Sequence, residues 1–393
     1  MELKILCAAV LFAGSAGFAQ TPTPAQPSPK IYHAPRTLPL TKFYDTSLPL
    51  PAGKPGELIR SEVFDEYHLS GALSTVRILY HSRSSQGEDV AVSGVVLLPD
   101  GTPPTGGWPV IAWAHDFTGS ARRCAPSLLK NLNEGPLLSM YASLGYAVVA
   151  SDYAGLGTTF PHAVFDVRTN ALDVIYSIPA AHAALPQLGT KWVAAGYALG
   201  AIVAVGVAET SSALSDPDFL GAVAVSGVAQ LQEIFERFAQ GPDYSMLVFL
   251  AQGIKTVYPE FQVREILTDK ALQLYQYISE SCDARLGPDV PSNDVLKSGW
   301  RENPYVKRFF IRNELGQEPA QRPLLVINGE VDAALPSAFT AKAVARLCQR
   351  KDRVLFVKYP SPNASAVLGS SVSEQASWIR ARFAGLPAPG NCP

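Results

Sequence analysis

Six runs of this chain are apolar along their length instead of at every second position: Val110–Ala114, Ala147–Ser151, Trp192–Ala195, Ala222–Val225, Leu324–Ile327 and Val354–Val357. Strands that bury only one face alternate apolar and polar residues. Strands covered on both faces do not, and parallel strands are covered on both. Helical patterns, such as Ala171–Leu185 and Ser337–Arg350, lie between the runs. Alternating strands and helices imply a doubly wound α/β architecture around a mostly parallel sheet. Val76–His81 and Val90–Leu98, joined by a short polar turn, read as an opening antiparallel pair.

Residues 231–321 break the rhythm. They show helical patterning and no clear strand, and the interval is too long for a simple crossover. It reads as a helical insertion placed where a lid or cap can cover a cleft; a plain surface insertion is the alternative. The core is then 41–230 with 322–393. A chain of 393 residues, 47% hydrophobic, can fill such a core. The net charge of −2, with Lys and Arg scattered, offers no nucleic acid or anionic membrane surface a footing.

The first nineteen residues read as a signal peptide. Glu2 and Lys4 precede an apolar run, Ile5–Phe12, and Gly17-Phe18-Ala19 forms a small-residue cleavage site. The run is too short for a stable membrane span. A Pro/Thr/Gln-rich linker follows within 20–40, which argues against an ordinary buried N-terminal helix. Processing removes Cys7 and leaves Cys124, Cys282, Cys348 and Cys392. An even count in an exported chain suggests two disulfides, with three pairings open. Cys348 with Cys392 is favoured because both flank the last strand and helix, which leaves Cys124 with Cys282. No Cys or His spacing suits a metal, and no cofactor is expected.

The most informative segment for function is Lys191-Trp192-Val193-Ala194-Ala195-Gly196-Tyr197-Ala198-Leu199-Gly200-Ala201. A buried strand runs into Gly-x-x-x-Gly and then a small-residue helix. Taken alone, this is a tight strand-to-helix turn. It is also how hydrolases push a nucleophile to the carboxyl edge of a sheet, with small residues on either side of a strained turn. The central position holds alanine.

Three further stretches carry a resemblance. Trp113-Ala114-His115-Asp116-Phe117-Thr118-Gly119-Ser120, Leu144-Gly145-Tyr146-Ala147-Val148-Val149-Ala150-Ser151-Asp152-Tyr153-Ala154-Gly155-Leu156-Gly157-Thr158 and Trp378-Ile379-Arg380-Ala381-Arg382-Phe383-Ala384-Gly385 resemble the secreted (secretory) lipases of the α/β-hydrolase fold. The resemblance covers 51–392 and is vague in the insertion. It implies ester hydrolysis on acyl substrates by a Ser–Asp–His triad in that chain order. Carried over by position, the nucleophile falls on Ala198. The acid falls on Asp332, after Leu324–Gly329, unless that carboxylate merely caps the next helix. The histidine falls on Ala364, and no histidine follows His182 anywhere. The oxyanion-hole backbone donors would be Leu199 and either Asp116 or Phe117. Relatives usually carry His-Gly where this chain has His115-Asp116. Tyr197 and Ala201 also depart from the family's elbow, which favours natural drift over a deliberate knockout.

A methyl group neither attacks a carbonyl nor takes a proton. Four side chains near the expected cleft are candidates for other work: His115, His162, Tyr197 and Asp152. The two histidines can serve as acid–base groups or be purely structural. Tyr197 can donate a hydrogen bond into the cleft, and Asp152 can pair with His162 or a helix terminus. The reading favoured by the residues is a secreted or periplasmic esterase homologue that has lost serine hydrolysis and keeps a pocket for a small apolar or acyl ligand. An active hydrolase or lyase with non-standard residues, and a protein-interaction module built on the insertion, stand as alternatives.

Overall fold

The structure, a computed structural model, describes residues 37–46, 49–71, 73–213, 216–241, 245–282, 292–320, 322–331, 335–361 and 363–392. The signal-peptide reading, most of the linker and Asp332 lie outside these residues.

Nine strands form one sheet: β1 (Leu58–Val63), β2 (Ser74–Arg83), β3 (Asp89–Leu98), β4 (Trp108–Ala114), β5 (Ala147–Ser151), β6 (Leu188–Tyr197), β7 (Phe219–Val225), β8 (Leu324–Gly329) and β9 (Val354–Tyr359). Their order is β1-β2-β3-β5-β4-β6-β7-β8-β9. The pairs β1–β2, β2–β3 and β3–β5 are antiparallel, and every later pair is parallel. The chain therefore has the α/β-hydrolase-type sheet that the apolar runs call for. One strand is neither among those runs nor in the opening antiparallel pair. β1 alternates irregularly and is mostly exposed or half-buried, as an edge strand can be, so its sequence, Leu-Ile-Arg-Ser-Glu-Val, has no apolar run.

Helices cover both faces. α1 (Gly135–Ser143) lies on one, α2 (Val167–Ala184) and α3 (Leu199–Ala213) on the other. Between β7 and β8 come α4 (Leu231–Phe238), α5 (Ser245–Val257), α6 (Asp269–Tyr275) and α7 (Pro304–Arg312). The chain closes with α8 (Ser337–Gln349), α9 (Ala364–Ser370) and α10 (Val372–Phe383). The core splits into two main clusters. One joins β-strand residues such as Val110 and Ala194 to α2, α3 and the inserted helices; the other joins Ile111 and Val193 to α1 and α10. The inserted helices thus share the main core through Phe249 and Phe309, both fully buried. Among the described residues no helix is long and apolar enough to cross a membrane.

Both favoured disulfides form. Cys348–Cys392 ties α8 to the C-terminal segment, and Cys124–Cys282 ties the loop after β4 to the insertion across a sequence separation of 158.

Candidate functional site

β6 is central, flanked by β4 and β7, so its carboxyl end opens at the middle of the sheet edge. The chain turns there from Tyr197 into α3. Ala198 sits at the apex with φ +50°, a left-handed conformation that L-residues avoid. Its N–H donates to Val225 O at 3.0 Å, and its C=O accepts from Ala201 N at 3.0 Å. The glycines around it are required by close backbone approach. A Cβ on Gly196 would lie 2.0 Å from Gly200 O, and one on Gly200 would lie 2.0 Å from Ala114 O.

Ala198 faces an apolar cleft with about 710 Å³ of empty space, mouth included. Ala364, the first residue of α9, lines the same cleft, and Asn363 Oδ1 caps that helix on Ala366 N at 2.9 Å. Phe165, Phe235, Phe238 and Met246 form the greasier wall, three of them contributed by α4 and α5. The two alanines are therefore brought together, along with Leu199, Phe117 and Asp116.

The two N–H groups of Phe117 and Leu199 converge on one point, as an anion hole requires. That point is occupied by a side chain of the protein itself. Asp116 Oδ1 accepts from Phe117 N at 2.7 Å and from Leu199 N at 3.1 Å. The low-polarity surroundings raise the Asp116 carboxyl above its ordinary value, and these two bonds oppose the rise. The backbone N–H of Asp116 is not a third donor to the hole; it serves Glu134.

Glu134, just ahead of α1, stands on the far side of Asp116 in a neighbouring, more polar cleft. Burial first and then the charge of Asp116 push it up to about 8; bonds from Trp113 Nε1 (3.4 Å), Asn133 and the Asp116 N–H oppose the shift. A carboxyl with a folded-state value above its unfolded value near 4.5 holds its proton more tightly when folded. Its stabilising contribution is whole below that lower value and is lost as pH rises toward 8. Glu134→Gln should therefore flatten the fall in stability over this window, by up to about 1.4 kcal/mol per pH unit. Urea unfolding at mildly acidic, neutral and mildly alkaline pH reads this; an unchanged fall would contradict it.

With this geometry in view, comparison with known proteins decides the lineage. A family model described as "Secretory lipase" matches residues 133–391. The chain belongs to the secretory lipase family. Lipase 6 of Candida albicans is 25% identical, over 89% of this chain and 82% of its own length. The fold is shared with Candida antarctica lipase A in its closed state, at TM-score 0.77 and 16% identity over 91% of each chain. It is also shared with a ligand-bound form of LipA, the rice cell wall degrading esterase of Xanthomonas oryzae, at TM-score 0.68 and 20% identity, covering 84% of this chain and 98% of LipA.

Of the four further side chains named from the sequence of this secretory lipase family member, none lines the apolar cleft, and both histidines take the structural one of their two readings. His115 and His162 line neither cleft. Both rings lie parallel to Tyr153, His115 at 4.1 Å and His162 at 6.3 Å between centroids. His115 Nδ1 faces Asp116 O at 2.5 Å and Nε2 faces Asp152 O at 3.2 Å; His162 Nδ1 faces Ala154 O at 2.9 Å. Burial lowers each to about 4, so both are neutral struts at neutral pH. Asp152 does not pair with His162. It is buried and accepts from Ser93 Oγ at 2.6 Å and from Ser127 N at 2.8 Å, the latter in a single turn of 3-10 helix. Tyr197 lines the neighbouring cleft beside Glu134, not the apolar one.

Sequence reasoning missed two polar groups, the Asp116 carboxylate as occupant of the hole and Glu134; a third, Ser226, is legible as a strand-end serine but lacks the elbow pattern and any identifiable base. Ser226 follows β7 with φ +50°, lines the apolar cleft and is 4% exposed, and its hydroxyl has no hydrogen-bond partner. The one available signal was Asp116 itself, an acid where relatives keep glycine.

Proposed function

We propose that this chain is an exported secretory lipase homologue, degenerate for serine ester hydrolysis, that uses its cleft to bind a small apolar or acyl ligand. The observation that carries the reading is the pairing of Ala198, at the left-handed apex, with Ala364 in one cleft. At these two positions neither a nucleophile nor a base exists, and no histidine after His182 can supply the base. The buried, neutral His115 and His162 reach no reacting atom. Two disulfides and the signal-peptide pattern agree with an oxidising destination outside the cytoplasm. We assign the helices within 231–321 as a cap, because Phe235, Phe238 and Met246 roof the cleft.

The purified mature chain should release no more p-nitrophenol from p-nitrophenyl butyrate than a heat-killed control. Saturable turnover that co-purifies with the folded chain would overturn the assignment.

A further inference from the structure

The reading above leaves the ligand's polar end unspecified. Resting on it, we propose that the cleft takes an amphiphile with a cationic head, a long-chain primary ammonium, in preference to a fatty acid.

The lining of the cleft is of two kinds. Ile234, Phe235, Phe238 and Met246, on α4 and α5, offer an alkyl chain an apolar wall, and the carboxyl ends of β4 and β7 present Asp116 and Ser226. A fatty acid carboxylate would need the Phe117 and Leu199 N–H groups, and both are already bonded to Asp116 Oδ1. The carboxylate would meet a like charge where the donors stand, and like charges within a low-polarity site repel strongly. Glu134, on the far side of Asp116 and held up at about 8, keeps its proton at neutral pH, so the charge at this end is that of Asp116. Among the described residues lining either cleft there is no Lys and no Arg. His115, the nearest imidazole in sequence, is neutral. The acidic end is thus uncompensated, and a buried charge without a partner is costly.

An alkylammonium reverses each of these signs. Its three N–H protons suit acceptors, and a charge-assisted bond to a carboxylate is stronger than a neutral one. Asp116 gives only Oδ1 to the backbone donors. Ser226 supplies an independent pointer: its hydroxyl is buried, lines the cleft and has no partner, so it can accept from the same head.

Calorimetry at neutral pH and low salt with octylammonium, 1-octanol and octanoate separates the possibilities. Octylammonium should bind about tenfold or more tighter than 1-octanol, and octanoate weakest. Asp116→Asn, which keeps an acceptor for both N–H groups, should reduce the ammonium to the alcohol's affinity. Should that variant fail to fold, Glu134→Gln should weaken octylammonium about threefold at a pH of about 9, where the parent carboxyl is ionised and the ammonium still charged, and leave 1-octanol unchanged. Octanoate binding as tightly as octylammonium, or an ammonium preference that survives the charge-removing variant, would overturn the inference and leave the apolar cleft standing. No binding by any of the three would overturn both.

Discussion

Ala198→Ser combined with Ala364→His should turn an inert protein into a measurable esterase. Each change alone should do almost nothing. Removing either the nucleophile or the base of such a triad costs several powers of ten, and removing both costs little more, so restoring one of two gains little. The double variant should therefore exceed both single variants by about a thousandfold or more on p-nitrophenyl butyrate. The scaffold for the hydroxyl is in place: the apex at φ +50°, the cleft, and two convergent N–H groups. The Asp116 carboxylate should hold the gain down, because it competes with a developing oxyanion for those donors. Adding Asp116→Gly should raise kcat by a further factor of about one hundred, the scale on which one oxyanion-hole donor acts. A triple variant slower than the double would mean that Asp116, protonated, was itself the donor. A double variant no better than the singles would remove the positional assignment of residues 198 and 364 altogether.

Among the described glycines, Gly227→Ala should be the most damaging addition of a methyl group. A Cβ there would lie 1.8 Å from Ala198 O, a backbone atom. That carbonyl is held by Ala201 N–H and the same residue's N–H by Val225 O, so the apex cannot move aside without losing both bonds. Overpacking against fixed backbone in a core this dense costs well beyond an ordinary substitution, here more than about 4 kcal/mol. Total stability is on the order of 5–15 kcal/mol, so the variant should fail to accumulate or melt at least five degrees or so lower. Gly369→Ala is the internal contrast. It lies within α9 with nothing within 4 Å of the added Cβ, and exchanging a helical glycine for alanine should stabilise by about 0.5–1 kcal/mol. Thermal melts of the two variants side by side check both signs. A Gly227→Ala protein that melts within two degrees or so of the parent would be incompatible with the elbow packing.

The sheet was legible because burial on both faces leaves a plain mark in sequence, as Val110–Ala114 and Ala222–Val225 show. β1 left no such mark because an edge strand keeps one side wet. The elbow was legible through its glycines, which answer to steric contacts only a few residues away in the chain or on the adjoining strand. The polar groups were not. Whether the ring of His115 faces the cleft or stacks on Tyr153 depends on a rotamer set by residues forty positions away in the chain. Likewise, the Asp116 side chain reaches its own neighbour's N–H and that of Leu199 only because the loop after β4 bends toward α3. Spacing along a sequence carries no information about such a turn of a side chain.

The bond between Cys124 and Cys282 has a mechanical corollary. Its two ends belong to the stretch leading away from Asp116 and to the inserted helices beyond α6, so neither can drift far from the other. Under the cap assignment proposed above, a bulky guest would enter by displacing α4, the less deeply buried of the cleft's helices, and not by lifting the whole insertion from this anchored corner. Reducing conditions would untether that corner, and a guest's arrival and departure should both quicken.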